Sequence, residues 1–209
     1  MKQLLVVEDH AIVRAGIRRL LGERGDVSVA EAASGEAALE EIAARAFDLV
    51  ILDLNLPGMA GLELLRRILR ANPALPVLIF SQHTEAIYAT RALESGAKGF
   101  VSKNATPEEL LEAIETILKG GTAIEKDVAA EMAVHDLTED AYVRPLTERD
   151  LEILRLLSAG DSLSEIADKL GIAYKTVANT LSRIKEKLGV GQTSELIRIA
   201  VGRGLADRV

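Results

Sequence analysis

Five short apolar runs punctuate the first 118 residues, and a stretch with helical periodicity separates each from the next. The runs lie at residues 3–7, 27–30, 48–52, 76–80 and 98–101 and are rich in Val, Ile and Leu. Near-continuous apolar character over so few residues suits strands buried on both faces. Between them, Val13, Ile17, Leu20 and Leu21 share one helical face, as do Leu62, Leu65 and Leu69, and Leu110, Leu111, Ile114 and Leu118. The last of these helices opens with Thr106-Pro107-Glu108-Glu109, an N-cap Thr, Pro at N1 and Glu at N3 that make a capping box. Five strands alternating with five helices predict an α/β fold, a doubly wound five-stranded parallel sheet. Ligands of such a sheet sit beyond the carboxyl ends of its strands.

The alternation stops at Gly120-Gly121. A mixed stretch through Asp140 has room for one further short helix, and after Pro145 the pattern is purely helical. The expected organisation is an α/β domain over 1–120, a linker over 121–145 and a small all-α domain over 146–209.

Composition agrees with two small domains: 209 residues, 48% of them hydrophobic, can fill two packed cores. Cysteine is absent, which excludes disulfides and thiolate metal sites. The N-terminus begins like a signal peptide, but Glu8 and Asp9 interrupt its apolar run, and no stretch approaches the ~18 apolar residues of a membrane span. A cytoplasmic protein with no membrane partner is expected. The net charge of −7 argues against nucleic acid until the chain is divided. Residues 1–143 hold 14 Lys/Arg against 23 Asp/Glu, whereas residues 144–209 hold 11 against 9, so the second part is able to meet phosphates.

Glu8 and Asp9 end the first run, Asp53 the third and Ser81 the fourth, and Lys103 follows the fifth. The predicted sheet brings them to one rim. Three crowded carboxylates repel one another unless a divalent cation or protonation compensates. Oxygen-only ligands with no His or Cys nearby point to Mg2+, and a carboxylate beside that ion is a plausible nucleophile toward phosphorus. Lys103 supplies a point charge for a phosphoryl oxygen, and the Ser81 hydroxyl can donate to another. A lone acid at a strand end is ordinarily a cap or a solvated group; an acid pair, an acid, a hydroxyl and a lysine on four strand ends are harder to dismiss.

This pattern resembles the receiver domain of two-component response regulators, with its flavodoxin-like fold, over about residues 1–120. The resemblance implies that Asp53, in Leu52-Asp53-Leu54-Asn55-Leu56-Pro57-Gly58, is the phosphoacceptor. It implies that Mg2+ is held by Asp9 directly and Glu8 through water, together with Asp53 and the backbone carbonyl of Asn55. Ser81 would be the switch hydroxyl, Phe100 the switch aromatic and Lys103 the phosphate-pairing lysine. Gln82 departs from the small residue usual after the switch hydroxyl, which bears on dephosphorylation rate and pocket access. His83, near the rim, is taken as incidental.

In the helical part, Thr147 can cap a helix carrying Leu151, Leu154 and Leu157. A short helix after Asp161-Ser162 turns Ile166, Ala167 and Leu170 inward, and Gly171 supplies a turn. A third helix, from about Tyr174 to Leu188, places Val177, Leu181, Ile184 and Leu188 on a core stripe at ~100° per residue. Opposite lie Lys175, Asn179 and Ser182, flanked by Ala178 and Arg183, with Thr176 and Lys187 to one side. The pattern fits a helix-turn-helix and, equally, a small bundle with a solvated face.

The segments Leu146-Thr147-Glu148-Arg149-Asp150, Glu165-Ile166-Ala167-Asp168-Lys169-Leu170, Lys175-Thr176-Val177-Ala178-Asn179 and Glu186-Lys187-Leu188-Gly189-Val190 resemble the LuxR-class helix-turn-helix. With the receiver, the chain resembles the NarL/FixJ family of transcriptional regulators. Lys175, Thr176, Arg183, Lys185 and Lys187 are then phosphate-contact candidates, and Asn179 and Ser182 base-edge candidates. Ala178 stands where the family usually has lysine, and can touch a thymine methyl but cannot read guanine. Thr180 replaces a frequent His, and Gly191-Gln192-Thr193 a commonly basic segment. The helix from about Ser194 to Val201 resembles the family's dimerisation helix, with Leu196, Ile197, Ala200 and Val201 as candidate contacts, though part of it must close the domain's own core.

The expected function is a response regulator in which a sensor histidine kinase phosphorylates Asp53, driving homodimerisation and binding to double-stranded DNA. It is enzyme-like only in its own phosphorylation and hydrolysis. Two rivals stand beside it. A phosphatase of the haloacid dehalogenase type also uses a strand-end Asp, but in an Asp-x-Asp pattern whose second acid is here Asn55. A phosphorylation-dependent protein-interaction module that has lost DNA recognition is the other.

Overall fold

The apolar runs become strands at nearly the positions their composition indicates: β1 (Lys2–Val7), β2 (Val27–Ala32), β3 (Leu49–Leu52), β4 (Val77–Ser81) and β5 (Gly99–Ser102). Helices α1 (Ala11–Gly22), α2 (Gly35–Ala44), α3 (Gly61–Ala71), α4 (Ala86–Glu94) and α5 (Pro107–Leu118) alternate with them. The computed structural model describes residues 1–23, 25–82, 86–136 and 146–202; His83 and Pro145 lie outside them. The chain divides into two units, Met1–Leu137 and Thr138–Val209.

In the first unit all strands pair in parallel, in the order β2-β1-β3-β4-β5-β6. Every residue of β3, β4 and β5 is buried, as continuous apolar runs require of a sheet covered on both faces. On one side of the sheet, Leu4, Val6, Leu49, Ile51 and Leu78 pack with Ile17 and Leu21 of α1 and Leu110 and Ile114 of α5. The chain steps from β1 outward to β2, then crosses back over β1 to reach β3 and continues to the other edge. The strand order therefore reverses between β1 and β3, which opens a crevice at their carboxyl ends. The expected capping box of α5 is present: Glu109 N donates to Thr106 Oγ1 at 3.2 Å and Thr106 N to Glu109 Oε2 at 2.8 Å.

The sheet has six strands rather than the expected five. β6 (Ala123–Ile124) pairs with β5 in the register Gly99↔Ala123 and Phe100↔Ile124. Two residues carry no periodicity, so nothing in the sequence marked them as a strand. Gly99 makes the approach possible, since a Cβ there would stand 2.5 Å from the Ala123 carbonyl oxygen. Helix α6 (Lys126–Asp136) follows directly. The linker expected over 121–145 thus opens with a strand and a helix, and its remainder, from residue 137, lies outside the described residues.

The second unit contains α7 (Glu148–Ser158), α8 (Leu163–Lys169), α9 (Tyr174–Leu188) and α10 (Thr193–Gly202). Two capping boxes set helix starts: Thr147 with Asp150 for α7, and Ser162 with Glu165 for α8. Gly171, at φ 61°, turns the chain from α8 into α9 in a conformation that costs other residues more. The predicted stripe of Val177, Leu181, Ile184 and Leu188 is buried with Leu151, Leu154, Leu157 and Ile166, while Leu170, at the C-cap of α8, is half-buried.

Candidate functional site

The rim residues meet because neighbouring strands end level with one another. Asp53 N donates to Val7 O at 2.9 Å, tying the ends of β3 and β1, and Lys103 N to Ser81 O at 2.8 Å, tying those of β5 and β4, while the pairing Leu52↔Ile79 joins β3 to β4. Glu8, Asp53 and Ser81 are almost wholly buried there. The Lys103 ammonium reaches into this pocket and lies 2.8 Å from Asp53 Oδ2 and 2.5 Å from Glu8 Oε2. Burial pulls the lysine pKa down, but attraction to Asp53 and hydrogen bonds to Asp53 and Glu8 outweigh it and hold the ammonium above its ordinary value. One cation thus bridges two buried carboxylates, and Asp53 Oδ1 accepts from Asn55 N at 3.1 Å.

Glu8, Asp9 and His10 bring ligand atoms within 4.8 Å of one another. His10 Nδ1 stands 3.0 Å from Glu8 Oε1 and 2.9 Å from Asp9 Oδ1. Arg14, one turn into α1, donates from Nη1 to the carbonyls of Glu8 at 2.6 Å and Asp9 at 2.8 Å, which holds the β1–α1 turn under the acids. His10 thus corrects the expectation of acids with no His nearby, since its imidazole faces both carboxylates. The Glu8 and Asp9 carboxylates still offer oxygen ligands of the kind a hard divalent cation takes. Asp53 lies outside the Glu8–Asp9–His10 group. Neither His10 nor Arg14 emerged from sequence reasoning, although the adjacency of His10 to two acids was a visible signal. Phe100 is already fully buried.

The second unit arranges its predicted residues less simply. Lys175, Thr176, Asn179 and Ser182 are exposed on α9, and Ala178 and Lys185 are half-buried. Ser182 Oγ donates back to the Ala178 carbonyl at 3.1 Å. Arg183 and Lys187, both expected to contact phosphate, pair with Asp150: Arg183 Nη2 lies 2.9 Å from Oδ1 and Lys187 Nζ 2.6 Å from Oδ2. Asp150 is fully buried. Burial pushes its pKa up, but hydrogen bonds from Lys187, Thr147 and Arg183 prevail and hold it below the usual carboxylate value. In α10, Leu196 and Ala200 are fully buried in the unit's own core against α7, which corrects their assignment to a partner surface. Ile197 is half-buried and Val201 is 54% exposed.

These two sites coincide with two family models. Residues 4–115 match the response regulator receiver domain, and residues 144–200 match the bacterial regulatory proteins of the luxR family. The chain belongs to the NarL/FixJ family of response regulators. Among relatives of this response regulator, the transcriptional activator protein ExaE of Pseudomonas putida is 40% identical over 207 residues, covering 97% of both chains. The response regulator UvrY of Escherichia coli K12 is 34% identical over 99% of this chain and 97% of its own. Among solved structures, RcsB of Salmonella enterica serovar Typhimurium, bound to promoter rprA in the presence of phosphomimetic BeF3−, superposes with a TM-score of 0.66 at 25% identity, covering 94% of this chain and 96% of that one. A LuxR-family regulator from Aurantimonas sp. SI85-9A1 gives 0.63 at 39% identity, covering 66% of this chain and 99% of that one. The response regulator pairs a receiver with a helix-turn-helix of the DNA-binding LuxR type. Among its described residues no helix is long and apolar enough to cross a membrane.

Proposed function

We propose that Asp53 accepts a phosphoryl group from a sensor histidine kinase and that this modification controls dimerisation and sequence-specific binding of double-stranded DNA. The observation that carries the reading is the buried Asp53 carboxylate held at 2.8 Å by Lys103, which also reaches the buried Glu8 at 2.5 Å. An Asp53 oxygen attacks phosphorus, the bond from phosphorus to the donor's imidazole nitrogen breaks, and its electron pair leaves with the imidazole, which takes up a proton. Glu8, Asp9, Asp53 and the Asn55 carbonyl would hold Mg2+, which when bound neutralises the nucleophile and the incoming phosphoryl oxygens. Lys103 pairs with a phosphoryl oxygen and the Ser81 hydroxyl donates to another. Water attack on the acyl phosphate returns Asp53 and inorganic phosphate. Lys175 and Thr176 contact backbone phosphates, and Asn179 reads a base edge in the major groove. The site is cytoplasmic, where such kinases present their phosphohistidine.

The test uses acetyl phosphate and Mg2+ on the full chain. Mass spectrometry is expected to find one phosphoryl group on Asp53 and none in Asp53→Asn, and gel shifts on genomic fragments to strengthen with modification. A phosphoryl group on another residue, with Asp53 unmodified, overturns the assignment.

A further inference from the structure

Glu125, the residue just before helix α6, has three attachments. Glu125 N donates to the Phe100 carbonyl at 3.0 Å, and the Glu125 carbonyl accepts the first bond of α6, from Ala129 N at 2.9 Å. Its carboxylate turns back to β5, where Oε2 accepts from Ser102 N at 2.6 Å and Oε1 from Ser102 Oγ at 3.3 Å. The reason lies in the length of β6. That strand ends at Ile124, so the ladder offers no carbonyl to the next inward N–H, and Ser102 is only 1% exposed. A buried N–H left without an acceptor costs ~1–3 kcal/mol, and a carboxylate is a stronger acceptor than the missing carbonyl.

Ser102 immediately precedes Lys103. Strand alternation sends the Ser102 N–H toward β6 and the Lys103 N–H toward β4, where it meets Ser81 O at 2.8 Å. The dipeptide that aims the ammonium at Asp53 is therefore clamped from both sides, by Ser81 and by Glu125. The Ser102 hydroxyl extends the clamp, accepting from Asn104 N at 3.1 Å on the far side of Lys103.

We infer that Glu125 is a positioning residue for Lys103: its carboxylate fixes the backbone from which the ammonium reaches the phosphoryl-transfer pocket. The inference rests on Asp53 being the phosphoacceptor. It separates Glu125 from the rim acids, since it touches neither metal ligands nor phosphorus and acts through Ser102. It also makes residues beyond 120 part of the receiver's chemistry.

The experiment compares wild type, Glu125→Ala, Glu125→Gln and Glu125→Asp as full chains, with acetyl phosphate and Mg2+. Rates come from mass spectrometry and amide shifts from 15N-labelled protein. Glu125→Ala is expected to lower the phosphorylation rate roughly ten-fold, as small displacements of a charged catalytic group do, and to move the Ser102 and Lys103 amide protons upfield. Glu125→Gln, which keeps one acceptor oxygen, is expected to restore most of both. Glu125→Asp keeps the charge on a shorter arm and serves if the alanine variant does not fold, with the same loss expected. Wild-type modification at Asp53 with unchanged rates in Glu125→Ala or Glu125→Asp overturns this inference alone. Failure of wild type to take a phosphoryl group on Asp53 overturns the parent reading and this inference with it.

Discussion

At the scale of single residues, Lys103 carries the charge balance of the rim. It holds two buried carboxylates, and replacing it by Met would leave Glu8 and Asp53 facing one another with no cation between them. Stability to urea should fall by about 3 kcal/mol, the order found when one partner of a buried ion pair is removed. The pH dependence follows from the raised lysine pKa: the contribution is complete below the unfolded value and fades as pH climbs through the higher folded value. On its alkaline side the deficit of Lys103→Met should therefore be flat from neutral pH upward and close in strong alkali. A deficit that vanished at pH 7 would contradict the pairing. Glu8, Asp53, Ser81 and Lys103 were legible in the sequence because a parallel sheet sends every strand's carboxyl end to one rim. Glu125 was not, since its partner depends on the register of a two-residue strand.

Among the helices, α9 shows where periodicity stops being informative. A 100° period places Arg183 and Lys187 toward solvent, yet it is blind to Asp150, 33 and 37 positions earlier on α7. Asp150 also closes the α7 capping box, so one carboxylate fastens two helices. Arg183→Met and Lys187→Met are each expected to destabilise the second unit by about 1–3 kcal/mol, because a wholly buried carboxylate loses a charged donor. Asp150 makes this contribution above its unfolded pKa and loses it as pH falls through its lowered folded value. Hydrogen exchange of α7 and α9 should then show wild type and Asp150→Asn converging in acid. DNA titrations distinguish the cations further. Lys175→Ala should reduce the slope of log affinity against log salt by about 0.9, one released counterion, while Arg183→Met leaves that slope nearly unchanged. A full unit lost in Arg183→Met would return that residue to the phosphate contacts.

For the whole molecule, a lone helix-turn-helix reading a few base pairs has little affinity, and pairing two makes the second contact intramolecular. With Leu196 and Ala200 committed to the core, Ile197 and Val201 are left as the candidates for the proposed partner surface. A small domain needs most of the apolar positions of a short helix for itself, and the sequence could not apportion them. Val201→Glu should fold normally, remain monomeric in sedimentation when phosphorylated, and lose the preference for paired over single half-sites. Wild-type dimerisation in that variant would move the interface elsewhere. The short β6 strand, finally, bears on how such proteins trade parts. A receiver severed at residue 120 would bare the flank of β5, with the Phe100 carbonyl and the Ser102 N–H open to any other chain's strand. A hybrid regulator carrying this receiver is better joined after residue 136, so that the receiver brings its own selvedge to the new seam.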